Sequence, residues 1–126
     1  MSTRHDGNKE VVRALFAAVE RGDLNGILEI YADDAVDHRL PPGREALIEH
    51  IGRALTMFSD LKIDVHHMVE EGDLVAVRST LSGIHNQSGK SVEYQVVSFE
   101  RLREGRIVER WELADTTAML RQLDLE

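Results

Sequence analysis

Three residues join a proton-moving side chain to a position at or next to the end of an apolar segment: Asp115, His85 and His38. Carboxylate and imidazole are the usual general acid–base groups. Asp115 closes the run Ile107-Val108-Glu109-Arg110-Trp111-Glu112-Leu113-Ala114-Asp115. Read as a strand, this run sets Ile107, Glu109, Trp111, Leu113 and Asp115 on one side, because residues two apart share a face. That side is mostly apolar and carries the chain's single Trp. Two roles stay open for Asp115. It precedes Thr116-Thr117-Ala118-Met119-Leu120 and can cap that helix. It can also act as a base, in which case burial beside Trp111 and Leu113 raises its pKa from about 3.9. Capping a helix lowers it instead. His85 has a plain alternative as a strand-end residue near a loop, and His38 as a polar group ahead of Pro41-Pro42-Gly43.

Other chemistries find little support. His66 and His67 are adjacent on a strand and point to opposite faces. His50 has no partner at i+4 on its helix, and His5 lies near the start of the chain. With no cysteine, a structural zinc site is not expected, and no metal is assigned. Ser79, Ser82 and Ser98 lie on strands without a nucleophile-elbow sequence. There is no glycine-rich phosphate loop.

The elements that must hold these residues follow from periodicity. From Asp6 to Arg21, Val12, Leu15, Phe16 and Val19 recur at helical spacing. Gly22 ends that helix and Asp23 caps a short second one bearing Leu24, Ile27, Leu28 and Tyr31. An extended piece through His38 stops at the two prolines. A third helix runs from Arg44 to Met57, with Leu47, Ile48, Ile51, Leu55 and Phe58 as its stripe. From Leu61 the period becomes two. Strands are expected from Leu61, from Leu74 to His85, from Val92 to Leu102 and from Ile107, with turns at Glu71-Gly72-Asp73 and Glu104-Gly105. A final helix spans Thr116–Leu123. The class is α+β, an antiparallel meander with helices packed on it, in one domain over residues 1–126. Strands apolar on both faces, such as the one holding Tyr94, Val96, Val97 and Phe99, predict a second copy on the face the helices leave open.

The chain has 126 residues, enough for a real core, with 42% apolar and 30% charged. Its net charge of −8 is spread along the chain and argues against nucleic acid, which needs a basic patch. No signal-peptide core or membrane-length apolar run is visible, and the absence of cysteine suits the reducing cytoplasm.

Several stretches, in order from residue 31 to the end, resemble the SnoaL-like polyketide cyclases, the ester-cyclase branch of the nuclear-transport-factor-2-like (NTF2-like) superfamily. They are Tyr31-Ala32-Asp33-Asp34 with Val36-Asp37-His38, Pro42-Gly43-Arg44-Glu45, Phe58-Ser59-Asp60-Leu61, Glu71-Gly72-Asp73 with Val75-Ala76-Val77-Arg78, Gly83-Ile84-His85, Gly105-Arg106-Ile107-Val108-Glu109-Arg110-Trp111, and Asp115 with Met119-Leu120-Arg121-Gln122-Leu123. The resemblance implies a cone: a curved antiparallel sheet wrapped around helices, enclosing an apolar pocket, usually in a homodimer. It implies cofactor-free intramolecular aldol condensation of a small hydrophobic or polycyclic carbonyl ligand. Asp115 matches the acid–base position and His85 its partner. His38, Trp111, Phe58 and Leu113 fall to the substrate pocket. Two relatives of the same cone stand as alternatives. One is a ketosteroid-isomerase-like isomerase. The other is an epoxide hydrolase using an Asp-Arg-Asp set, for which Arg78 and Arg101 are candidates. A third alternative is a non-catalytic ligand-binding dimer.

Overall fold

The computed structural model describes residues 7–124. His5 and the first residue of the expected N-terminal helix, Asp6, lie outside them. Helix α1 (Gly7–Arg21) turns Val12, Leu15, Phe16 and Ala18 inward at helical spacing. Gly22 ends it at φ 68°, a left-handed value that suits glycine. Asp23 then caps α2 (Leu24–Ile30), its Oδ1 accepting the Gly26 N–H at 3.0 Å.

The extended piece after α2 becomes an edge strand, β1 (Tyr31–Asp37). Helix α3 (Arg44–Met57) follows the prolines with the bounds its periodicity predicts. Its first residue, Arg44, donates from Nη2 to the Leu28 carbonyl at 2.9 Å and from Nη1 to that of Ala32 at 3.3 Å, tying α3 to the α2–β1 corner.

Four long strands follow: β2 (Phe58–Glu71), β3 (Leu74–His85), β4 (Ser91–Arg103) and β5 (Arg106–Ala114). They pair antiparallel in sequence order, and β1 adds parallel to β5, giving the order β1-β5-β4-β3-β2. Helix α4 (Thr116–Gln122) packs on β4. This is the α+β cone: a curved open sheet with α1, α2 and α3 against its inner face. The core is one cluster from α1, α2, α3, Tyr31, Val75, Val77, Leu102 and Ile107, with a smaller one of Phe58, Leu61, Val92 and Leu123. Among the described residues no helix is long and apolar enough to cross a membrane.

One expectation about β5 is overturned. Leu102 pairs with Ile107 but Arg101 pairs with Glu109, so Val108 is an extra residue at a β-bulge. A bulge reverses which face the following residues take. Ile107 is therefore buried in the core, whereas Glu109, Trp111 and Leu113 turn to the outer face. Arg110, Glu112 and Ala114 turn inward in their place. A second irregularity between Val65 and His67 does the same to β2, turning Met68 to the core and leaving Val69 exposed.

Candidate active site

Helices and sheet enclose a cavity of about 370 Å³, inside the range of small-molecule sites. Its walls are apolar, from Leu15, Phe16 and Val19 of α1, Ile51 and Leu55 of α3, and Phe58, Leu61, Leu81 and Met119. Charged groups line it as well: Asp37, Arg39, His50, Arg110 and Glu112, with the phenols of Tyr31 and Tyr94.

These charged groups form one network; Arg53 also lines the cavity but is exposed and pairs with Glu49 outside that network. Arg39 grips Asp37 three times: Nε donates to Oδ1 at 3.2 Å, Nη2 to Oδ2 at 3.0 Å, and the backbone N–H to Oδ1 at 3.0 Å. Its Nη1 donates to Glu112 Oε2 at 2.7 Å. Arg110 holds the other Glu112 oxygen, Nη2 to Oε1 at 2.6 Å. It also donates from Nε to Glu100 Oε2 at 3.1 Å and from Nη1 to the Tyr31 hydroxyl at 3.2 Å. Glu100 is fully buried and takes a further bond from Ser98 Oγ at 3.3 Å. Arg39 Nη2 lies 3.3 Å from His50 Nε2. A guanidinium only donates, so Nε2 accepts and the imidazole proton sits on Nδ1.

Protonation follows from these contacts. Burial works to raise Asp37, but the hydrogen bonds and charge of Arg39, with the charge of Arg110, outweigh it and hold the carboxyl below its ordinary value. Burial and then the Arg39 charge push His50 down, keeping the imidazole neutral at pH 7. Burial opposes the Arg110 charge, yet Tyr31, Glu112, Glu100 and Asp37 around it keep it firmly protonated. Burial raises Glu100, with Arg110 opposing. Two guanidinium charges thus face three carboxyl groups.

The residues singled out by sequence separate. Phe58 lines the cavity. His85 is buried, its ring 5.7 Å from that of Phe58 and its Nδ1 2.8 Å from Ser88 Oγ, behind the cavity wall. His38 lies on the outer side of the sheet: its ring stacks on Trp111 at 4.9 Å and its Nε2 is 2.7 Å from Glu109 Oε2. Trp111 and Leu113 share that outer face, and Leu113 is 78% exposed. The bulge at Val108 is the cause for β5, and through its pairing with Arg110 for Asp37 and His38. Arg78 and Arg101 also point outward, to Gln95 and to Asp73 and Glu109.

Asp115 is exposed and caps α4, with Oδ1 accepting the Ala118 N–H at 3.0 Å. Its neighbours Ala114 and Thr116 line the cavity, but Asp115 is not part of the lining. Asp115→Ala should cost about 1 kcal/mol of stability in urea unfolding, and Asp115→Asn much less, since Asn caps nearly as well.

Sequence reasoning passed over Asp37, Arg39, His50, Arg110 and Glu112. One signal was available. Glu100 alternates with Val92, Tyr94, Val96 and Leu102 on the side of β4 that turns inward, and a buried carboxyl requires a partner.

The model of the SnoaL-like polyketide cyclases matches residues 9–123. No curated protein matches the chain. Among solved structures, IdmH of Streptomyces antibioticus, assigned as a polyketide cyclase, is 32% identical over 93% of this chain and 98% of its own, with a TM-score of 0.81. A Catenulispora acidiphila protein with a ketosteroid isomerase-like fold shares 21% identity over 93% and 94%, with a TM-score of 0.80. An LEH-like epoxide hydrolase of M. tuberculosis shares 17% over 94% and 90%, with a TM-score of 0.76. The last two likenesses are of fold.

Proposed function

The chain belongs to the SnoaL-like polyketide cyclase family, and from that premise we propose that it is a cofactor-independent enzyme closing a ring in a neutral carbonyl compound by intramolecular aldol condensation. One observation carries the reading: an apolar cavity whose charged groups are a carboxylate–guanidinium network with a neutral imidazole beside it. Apolar walls fold the substrate so that its two reacting carbons meet, which supplies proximity.

We place the base at Glu112. It lies on the last strand, as the resemblance implies, but at the inward register, three residues before the capping Asp115. Each Glu112 oxygen takes one arginine bond, whereas Asp37 takes three from Arg39 alone. Glu112 removes a proton from a carbon beside a carbonyl. The resulting enolate attacks the second carbonyl of the same molecule, forming the ring bond and an alkoxide. The alkoxide takes the proton back from the Glu112 carboxyl, so the base is restored. Arg39 and Arg110 stabilise the oxyanions as charge develops. A carboxylate is a weak base, which suits a carbon already acidified by two flanking carbonyls. The test is incubation with methyl esters of poly-β-carbonyl chains, followed by liquid chromatography with mass spectrometry for a cyclic isomer or its loss of water. Absence of products across such a panel would sink the reading.

A second reading has its own observation. Asp37–Arg39–Glu112 is a carboxylate–arginine–carboxylate bridge, the arrangement an epoxide hydrolase needs. It ranks lower because opening an epoxide needs a carboxylic acid to protonate the leaving oxygen. Arg39 holds Asp37 ionised.

The proposal includes a homodimer through the outer sheet face, in a reducing cytoplasm. Val69, Val97, Phe99 and Leu113 are exposed there, and Phe99 pairs with Trp111 and Val97 with Leu113 across β4 and β5. Sedimentation of the wild type at micromolar concentration should show a dimer, and Phe99→Glu a monomer. A wild-type monomer would remove this part of the proposal.

A further inference from the structure

Tyr94 is a half-buried polar residue of the cavity that the charge network leaves out. Its ring packs with Met119 and Leu81 against the Phe58–Leu61–Val92–Leu123 cluster. Its oxygen lies where the charges of Glu112 and Arg39 reach it. The side chain therefore runs from the apolar wall toward the charged network. Among the described residues its hydroxyl has no hydrogen-bond partner in the protein. Tyr31 differs: its oxygen already accepts from Arg110 and the ring is 2% exposed.

We propose that the Tyr94 hydroxyl is the hydrogen-bond donor that receives the acceptor oxygen of a bound carbonyl compound and aims it at Glu112. The inference rests on the reading of the cavity as a site for neutral carbonyl compounds, and adds the group that orients them. Three observations support it. Other polar groups that line the cavity — Asp37, Arg39, Arg110 and Glu112 — are held by one another, while Tyr94 is held by none. A carbonyl needs a donor, and a phenol supplies one without adding charge to an apolar wall. Burial, reinforced by Glu112, pushes the phenol up to about 12, so the proton stays on oxygen at any pH where the protein works. An oxygen forming an enolate would gain more from this bond than the ground-state carbonyl does, since bonds to charged acceptors are stronger.

The test uses two bicyclic probes of nearly the same shape: 1-tetralone, with one carbonyl, and tetralin, with no oxygen. Tyr94→Phe removes a hydroxyl that makes no bond in the protein, so its melting temperature should match the wild type. Its affinity for 1-tetralone should fall about tenfold, and its affinity for tetralin should not change. Isotope-edited infrared spectra of carbonyl-labelled 1-tetralone should show a lowered carbonyl stretch in the wild type that reverts in Tyr94→Phe. An unshifted carbonyl in the wild type, or equal losses for both probes, would overturn the assignment. If the ketone effect is absent while Glu112→Gln still abolishes turnover, Tyr94 alone is wrong. If the wild type binds neither probe, the carbonyl reading of the cavity falls with it.

Discussion

Glu112→Gln is expected to lower kcat by about 10²- to 10⁴-fold, the usual loss when a general base is removed. The amide keeps the shape of the side chain, and its carbonyl oxygen can still accept from one guanidinium. Its NH₂, however, meets the donors of the other, so Arg39 or Arg110 loses a partner. A thermal melt must therefore accompany the rate measurement, to separate lost chemistry from lost fold. The control is Asp115→Asn, which keeps the α4 cap and leaves the cavity lining untouched. It should turn over normally. The opposite pattern, with Asp115→Asn dead and Glu112→Gln active, would return the base to Asp115.

The largest stability effect is expected at Arg110. It is the cation for Glu100, which is fully buried, and it also holds Glu112 and Tyr31. Arg110→Met would leave Glu100 as an uncompensated buried charge, and breaking such a pair costs about 3–5 kcal/mol. Urea unfolding measures it. Adding Glu100→Gln should recover much of the loss, because the double variant buries no lone charge. The single variant carries a pH signature. Burial already raises Glu100, and without Arg110 it rises further. The folded state then binds a proton that the unfolded state has lost. Stability of Arg110→Met should accordingly rise as pH falls through the raised pKa toward the ordinary value near 4.5, and the double variant should lack this slope. Loss of under about 1 kcal/mol in the single variant would mean that water or a rearranged carboxyl replaces Arg110.

Local signals carried the elements well. Helix α3 needs only the spacing of Leu47, Ile51 and Leu55, and the α1–α2 corner needs only Gly22 and Asp23. The antiparallel meander follows from alternation and tight turns. What stayed hidden depends on pairing between distant residues. Nothing near Val108 marks it as the extra residue, since the bulge exists only against Arg101 and Leu102. Nor does residue type announce that Asp37 lies beside Arg110, which the parallel β1–β5 pairing decides. His38 drew attention because it ends an apolar piece, yet its neighbours Asp37 and Arg39 face the cavity. His50 lacked a partner along its own helix, and its partner, Arg39, comes from the turn after β1.

The bulge at Val108 works like a frameshift within one strand. Pairing Val108 regularly with Arg101, so that the bulge is lost but the residue kept, would leave every later side chain of β5 unchanged in type but turned inside out. Glu109, Trp111 and Leu113 would enter the cavity, and Arg110 and Glu112 would move to the surface where a second copy is proposed to dock. Glu100 would then meet an indole or a carboxylate in place of its guanidinium. Deleting Val108 outright would instead keep Glu109 opposite Arg101 and Arg110 opposite Glu100, with the later faces as they are. The interior charges and the outer apolar face stand or fall with that one step in pairing, and a residue-by-residue transfer of function along this strand holds only between chains aligned across it.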